Sequence, residues 1–303
     1  MFFKNLKEQS SATLVNKYKL ALNFLNFIDD KGFSIVDFPL LEKLSKSTNQ
    51  NEQYIARLNN GSEAFALRAD FTRQITNLVE HFEADELEKT IKFAYCGDVV
   101  KVDKPYRQKS LASMSYGFEI LLSDKNLANL NHYILELFDI TSHLISQGGK
   151  DVIIDLRPHF NTSLNLNAEC SKALCAFDFE NTELIKAIDG KTLSFLKLSL
   201  NNEPSFVLSN ILAPLSKFDI GTIFNLQQFT EVQSIAAKYF NNLVIDASQC
   251  LIKSSYNLFS FVICDKNTGA ELAKGGLYNI YNKQAQKNIT AMGVSFFAEN
   301  MIN

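Results

Sequence analysis

The 303-residue sequence predicts an α+β protein: a mainly antiparallel sheet flanked by helices of unequal length. Three observations predict it. Ile91–Leu122 holds two apolar runs with period-two alternation, joined by a polar loop at Asp103–Leu111 that contains one proline. Gln53–Leu58 and Glu63–Arg68 flank Asn59-Asn60-Gly61, a hairpin turn signal. Between such strand-like runs lie stretches with apolar residues at helical spacing.

Taken in order, Thr13–Asp30 is expected to be a helix burying Leu14, Tyr18, Ala21, Leu25 and Ile28, with Gly32 as its C-cap. Phe33–Phe38 alternates as a strand and stops at Pro39, which cannot donate to a ladder. After the first hairpin, Asp70 stands at the N-cap of a helix whose buried stripe is Ile75, Leu78, Val79 and Phe82. Beyond the central hairpin, Ser123 is placed to cap a long helix with Leu127, Leu130, Ile134, Leu137 and Phe138 on one side, ended by Gly148-Gly149. Asp151–Leu156 reads as a strand, and residues from about 161 to 240 as a helical insertion, clearest at Glu183–Ile188 and Phe224–Phe240. Strands return at Leu243–Asp246, Asn257–Cys264, Glu271–Lys274 and Thr290–Phe296, with Gly275-Gly276 following the third.

Composition excludes several function classes. Net charge is −3 without a lysine or arginine block, so a broad nucleic-acid footprint is absent. Five cysteines without CxxC spacing read as reduced, mostly buried thiols rather than a zinc site or disulfide frame. The four histidines form no HExxH or triad spacing and read as structural or surface residues, and no P-loop or GxGxxG occurs. No metal or cofactor is therefore expected. No apolar run reaches membrane-spanning length and MFFKNLKEQ lacks a signal-peptide core, so a cytoplasmic protein without membrane contact is expected.

Candidate chemistry lies on faces of small residues. Ser113, Ser115, Gly117 and Glu119 share one side of their strand, opposite Tyr116, Phe118, Ile120 and Leu122. Ala64/Ala66 and Ala291/Gly293/Ser295 repeat the pattern, punctuated by Arg68 and Lys101. Two readings fit: a pocket over the sheet for a small zwitterion or anion, or a helix packed closely on small side chains. Glu119 favours the pocket, because a carboxylate among inward strand positions needs a partner. Asp70 fits either helix capping or ligand contact.

Five segments stand in a recognisable order: Leu67-Arg68-Ala69-Asp70-Phe71-Thr72-Arg73-Gln74, Tyr95–Lys101, Tyr116-Gly117-Phe118-Glu119, Gly275–Asn279 and Ala291-Met292-Gly293-Val294. Together they resemble the class II histidyl-tRNA synthetase core, and most closely its paralogues, the regulatory subunits of ATP phosphoribosyltransferase. Gly32–Glu42 resembles the family's dimer-forming first motif. The resemblance spans residues 1–303 and implies one class II core domain, with the insertion at about 161–240 and no anticodon-binding domain. It also implies a histidine pocket over the sheet. Asp70 and Thr72 would face the ligand's ammonium, Glu119 and Tyr256 would bracket the imidazole, and Tyr278 would line the pocket. Lys101 stands where the family places an arginine near the carboxylate, and Ser115 where it places a glutamine.

Departures from the family decide what function the resemblance implies. Asn300 occupies the place of the motif 3 arginine that holds ATP, and Asp103–Leu111 lacks the GR-x-R-x-F pattern. Leu277 and Asn279 interrupt GGRYD, and Ser255–Leu258 stands in place of YYTG. Adenylation needs fixed cations for its developing charge, so tRNA charging is not expected. The implied role is a non-catalytic regulatory subunit that dimerises, partners a short-form catalytic subunit in the first step of histidine biosynthesis, and takes L-histidine as effector. A divergent adenylate-forming ligase and a scaffold that binds no histidine remain open as alternatives.

Overall fold

In the computed structural model the described residues are 11–43, 55–57, 64–100, 112–159, 180–187, 204, 226–246 and 255–302. The hairpin turn at 59–61, the loop 103–111 with Lys101, and most of the stretch 161–240 lie outside them.

Alternation at Ile91–Leu122 produces the strands it predicts. β5 (Ile91–Val100) and β6 (Ala112–Leu122) pair antiparallel in unbroken register from Ile91↔Leu121 to Val100↔Ala112. They belong to an eight-stranded sheet of order β1-β5-β6-β11-β10-β9-β7-β8. Here β1 is Ser34–Ile35, β7 Val152–His159, β8 Leu243–Ile245, β9 Tyr256–Asp265, β10 Glu271–Asn282 and β11 Lys287–Phe297. β1 runs parallel to β5 and β8 parallel to β7, whereas β7–β9 and β9–β10 are antiparallel. The sheet is thus mixed but mainly antiparallel, as expected. A second sheet holds β2 (Leu41–Lys43), β4 (Ala64–Leu67) and β3 (Ile55–Arg57), with β3–β4 forming the expected hairpin. Ala64 and Ala66 therefore sit outside the main sheet, and the three small-residue faces are not one floor.

The chain forms two compact units. The first comprises Met1–Asp124, Ile280–Ile289 and Ser295–Asn303; the second comprises Lys125–Asn279 and Thr290–Val294. In the first unit, α1 (Ser11–Asp30) ends in a Schellman arrangement: Phe33 N–H donates to Ile28 and Gly32 N–H to Asp29. Its buried stripe is Ala21, Phe24 and Ile28, set against Tyr116 and Phe296 through Phe24. Leu14 and Tyr18, expected inside, are exposed together with Val15 and Leu22. The apolar residues of α1 form two adjacent stripes, and only one meets the sheet. In α2 (Thr72–Val79) the buried residues are Gln74, Ile75 and Val79, while Leu78 faces out.

Across β6, Tyr116, Phe118, Ile120 and Leu122 are buried as predicted, and so are Ser115 and Glu119 on the opposite face. That face is not a bare floor. The register puts Phe93 and Tyr95 of β5 beside Glu119 and Gly117, and Phe71 stacks on Tyr95 at 4.3 Å. Close packing of the α2 entry accounts for part of the small-residue pattern.

In the second unit, α3 (Leu130–Ser146) buries Ile134, Leu137, Phe138, Ile140, Leu144 and Ile145. Phe138 meets Phe240, Phe259 and Phe261 at 5.2–6.2 Å. Ser123 does not cap this helix. A 3-10 turn at Asp124–Asn129 intervenes, and the Ser123 hydroxyl is buried without a hydrogen-bond partner among the described residues. Leu127, in that turn, is exposed. Helices α4 (Thr182–Ala187) and α5 (Leu226–Ala236) match the two clearest predicted segments of the insertion. β10 runs straight through Gly275-Gly276 instead of ending there. A side chain at Gly275 would strike the Gly293 carbonyl and come within 2.7 Å of the Phe261 ring, so glycine here permits close strand approach.

Candidate functional site

In the first unit the site-bearing segment is anchored by Arg68. Its side chain is buried; Nη1 donates to the Phe38 carbonyl at 2.6 Å, and Nε and Nη2 donate to the Asp98 carbonyl at 2.9 and 2.7 Å. The guanidinium also lies 4.0 Å over the Phe71 ring. A Cβ at Gly97 would stand 2.7 Å from Nη2, so that glycine makes room for the fork. Arg68 is thus a structural clamp, not the pocket charge that strand alternation suggested. It holds the β4–α2 junction, which carries Asp70 and Thr72.

Asp70 is exposed, and its Oδ1 accepts the Arg73 N–H at 2.9 Å, a capping bond from one residue before the N-cap position, which Phe71 holds. Thr72 Oγ1 reaches Glu119 Oε1 at 3.4 Å, a long hydrogen bond that brings two expected ligand residues together. Glu119 is 2% exposed. Ser115 is spent internally, its hydroxyl donating to the Phe296 carbonyl at 3.1 Å. Nearby, Tyr95 and Ser295 hydroxyls lie 2.7 Å apart. Lys101 lies outside the described residues.

The end of the last strand carries a carboxylate. α6 (Ala298–Ile302) follows β11 directly. Glu299 accepts the Met114 N–H at 2.8 Å and pairs with the largely buried Lys17 at 2.9 Å. Around the motif 3 position this chain therefore builds a closed ion pair from its own side chains.

In the second unit, Tyr256 and Tyr278 are opposite each other in the β9–β10 register, with ring centroids 6.4 Å apart and edge-on. A bulge aligns them: pairing jumps from Gly276↔Ser260 to Leu277↔Asn257, and Leu258 takes a left-handed φ of 59°. Bulges of this kind re-aim side chains. The conformation falls at the position of the glycine in the family's YYTG, where leucine carries the strain.

His159 joins these rings as a buried side chain, within the expectation that the histidines are structural or surface residues. Its ring stacks on Tyr256 at 5.7 Å and its Nε2 lies 2.7 Å from Ser260 Oγ. Burial, with Arg157 nearby, holds its imidazole down at about 4, so it is neutral at pH 7. β7 runs past the expected end at Leu156 and through Pro158, so that Asp155, Arg157 and His159 alternate along it. Arg157 donates twice to Asp155 Oδ2, at 2.9 and 2.6 Å, and lies 3.9 Å from Asp246. Burial pushes the Asp155 carboxyl up while Arg157 opposes it.

Cys96 and Cys264 are free and half-buried. Burial, then Asp98, push the Cys96 thiol up to about 11, which keeps it protonated. Among the described residues no group of acidic, cysteine and histidine side chains is arranged to hold a metal, and no helix is long and apolar enough to cross a membrane.

Comparison with known proteins places this geometry. The family model for histidyl-tRNA synthetase matches residues 8–301. Two curated relatives are named ATP phosphoribosyltransferase regulatory subunit. One, from Aquifex aeolicus, is 24% identical over 80% of this chain and 58% of its own length. The other, from Staphylococcus epidermidis, is 24% identical over 40% of this chain and 45% of its own. The match thus spans less than two thirds of either relative. Among solved structures, an ATP phosphoribosyltransferase regulatory subunit/histidyl-tRNA synthetase from Bacillus halodurans superposes with a TM-score of 0.74 at 16% identity, covering 98% of this chain and 81% of that one. A chain of the ATP phosphoribosyl transferase (HisG:HisZ) complex from Thermotoga maritima gives 0.68 at 17% identity, covering 95% and 99%. With the motif order and the mainly antiparallel sheet, the match over residues 8–301 establishes that this chain belongs to the histidyl-tRNA synthetase family.

Proposed function

We propose that this chain is a non-catalytic regulatory subunit of ATP phosphoribosyltransferase, which binds a short-form catalytic subunit and senses L-histidine. The observation that carries the reading is the fate of the motif 3 region. Asn300 stands in place of the synthetase arginine, and its neighbour Glu299 is locked to Lys17 and to the Met114 amide. Asn300 offers no positive charge where an adenylating enzyme needs a fixed cation for its polyphosphate, and Lys17 is engaged by Glu299. The names of the curated relatives and of the Thermotoga complex support the same role.

Within the first unit, Asp70, Thr72 and Glu119 are the groups offered to a histidine ligand; within the second, Tyr256 and Tyr278 form an aromatic pair of the kind that takes a ring. Carboxylates suit an ammonium group and an imidazole N–H, and aromatic rings suit the imidazole face. The exposed stripe of Leu14, Val15, Tyr18 and Leu22 on α1 supports self-association into a dimer. The effector acts only if it binds the activating and inhibited assemblies with different affinity.

The test is reconstitution. Titrating the purified chain into a short-form catalytic subunit should raise phosphoribosyltransferase activity to a plateau, and histidine should lower that plateau. Activity unchanged at every ratio contradicts the proposal. A second reading, a partner-binding scaffold that takes no histidine, is favoured by the internal use of the Ser115 hydroxyl. Under it, activation persists and histidine changes neither activity nor melting temperature. The ligase alternative predicts amino-acid-dependent exchange of pyrophosphate into ATP by the chain alone.

A further inference from the structure

We propose that His159 is a ligand-contacting residue of the aromatic cluster on β9 and β10, and that it selects a ligand bearing an imidazole ring. This rests on the histidine-sensing reading and adds a specificity residue to it. The imidazole is 6% exposed, its face is covered by Tyr256, and Tyr256 in turn meets Tyr278 edge-on, so three rings form one row. Ser260 engages Nε2. Nδ1 is buried and has no hydrogen-bond partner among the described residues. A buried ring nitrogen without a partner is costly and uncommon in folded proteins, which points to a group the free protein lacks.

The chemistry of the missing group follows from the ring's protonation. Kept neutral by its surroundings, His159 carries one N–H and one lone pair, and Ser260 can accept or donate. Nδ1 is therefore an acceptor in one tautomer and a donor in the other. A neutral imidazole, which itself offers one N–H and one lone pair, satisfies Nδ1 in both cases. An ammonium satisfies only the acceptor form and a carboxylate only the donor form. Tyr256, half-buried and next to the strained Leu258, is the covering side chain that must yield for the ligand to reach Nδ1.

The experiment compares L-histidine with β-(2-thienyl)alanine, which has a five-membered ring and no N–H, by calorimetric titration of the full chain. The double variant His159→Phe/Ser260→Ala keeps the ring stack and removes both members of the polar pair. Expected are wild-type preference for histidine, its reduction by about tenfold in the variant, and a free variant that melts no lower than wild type, because an unsatisfied nitrogen has been removed. Wild-type binding that discriminates equally in the variant overturns the His159 assignment while leaving histidine sensing intact. Wild type that binds no histidine overturns the sensing reading and this inference with it. A readout that needs no variant is the 15N resonance of the His159 imidazole in labelled protein. Movement of Nδ1 on adding unlabelled histidine supports the assignment, and a stationary signal alongside measurable binding refutes it.

Discussion

Two buried residues that carry a polar or charged group in the wrong solvent determine the behaviour at the residue scale. Arg68 is stable only because its fork matches carbonyls from two separate segments. Arg68→Lys keeps the charge but loses the planar donors, and should cost about 2 kcal/mol. Arg68→Ala also strands the Phe38 and Asp98 carbonyls, and should cost about 3–4 kcal/mol by chemical denaturation. His159 makes the opposite prediction, in pH. Its folded value of about 4 lies below the ordinary histidine value of about 6.5. The unfolded chain therefore binds more protons between those limits. The contribution of His159 to stability should be complete above about pH 7.5, fall by about 3 kcal/mol as pH drops through 4, and level off below. In His159→Phe/Ser260→Ala that slope should flatten, as read from urea melts across the window.

At the element scale the β10–β11 hairpin shows what a polar residue does when the chain folds around it. Asn282 is fully buried; its amide donates to the Val79 and Phe82 carbonyls at 2.7 and 3.0 Å, and its Oδ1 accepts the Ala285 N–H. It thereby satisfies carbonyls at the end of α2 and shapes its own turn. Asn282→Ala should cost about 2–3 kcal/mol. In the same turn, exposed Gln286 has a φ of 50°, so Gln286→Gly should gain up to about 1 kcal/mol from relieved strain, in thermal melts. The tie from Asn282 to Val79 and Phe82 was not legible in the sequence, since its partners lie some two hundred residues away. The strands of the central hairpin were legible because alternation is local and one face is apolar. The helix faces were legible only in part. α1 carries a second apolar stripe that periodicity cannot separate from the first, and Leu78 and Leu127 are apolar residues the fold leaves outside. Of the candidate site, Thr72 meets Glu119 and Tyr256 meets Tyr278. Ser115 and Arg68 were not legible as internal ties, because spacing says which face a side chain takes but not which backbone carbonyl it meets.

For the whole molecule, the proposed role is that of a histidyl-tRNA synthetase-family core acting as a regulatory subunit. The exposed α1 stripe tests the proposed dimer: if the chain sediments as a dimer, Tyr18→Glu/Leu22→Glu should shift it to monomer without lowering its helix content, since neither side chain packs in the core. The central claim is best tested by the phosphoribosyltransferase rate of a short-form catalytic subunit, followed as this chain is added at fixed substrate. The account predicts a rise that saturates at a fixed subunit ratio. A rate that stays flat from substoichiometric to large excess, with both proteins folded, would contradict it.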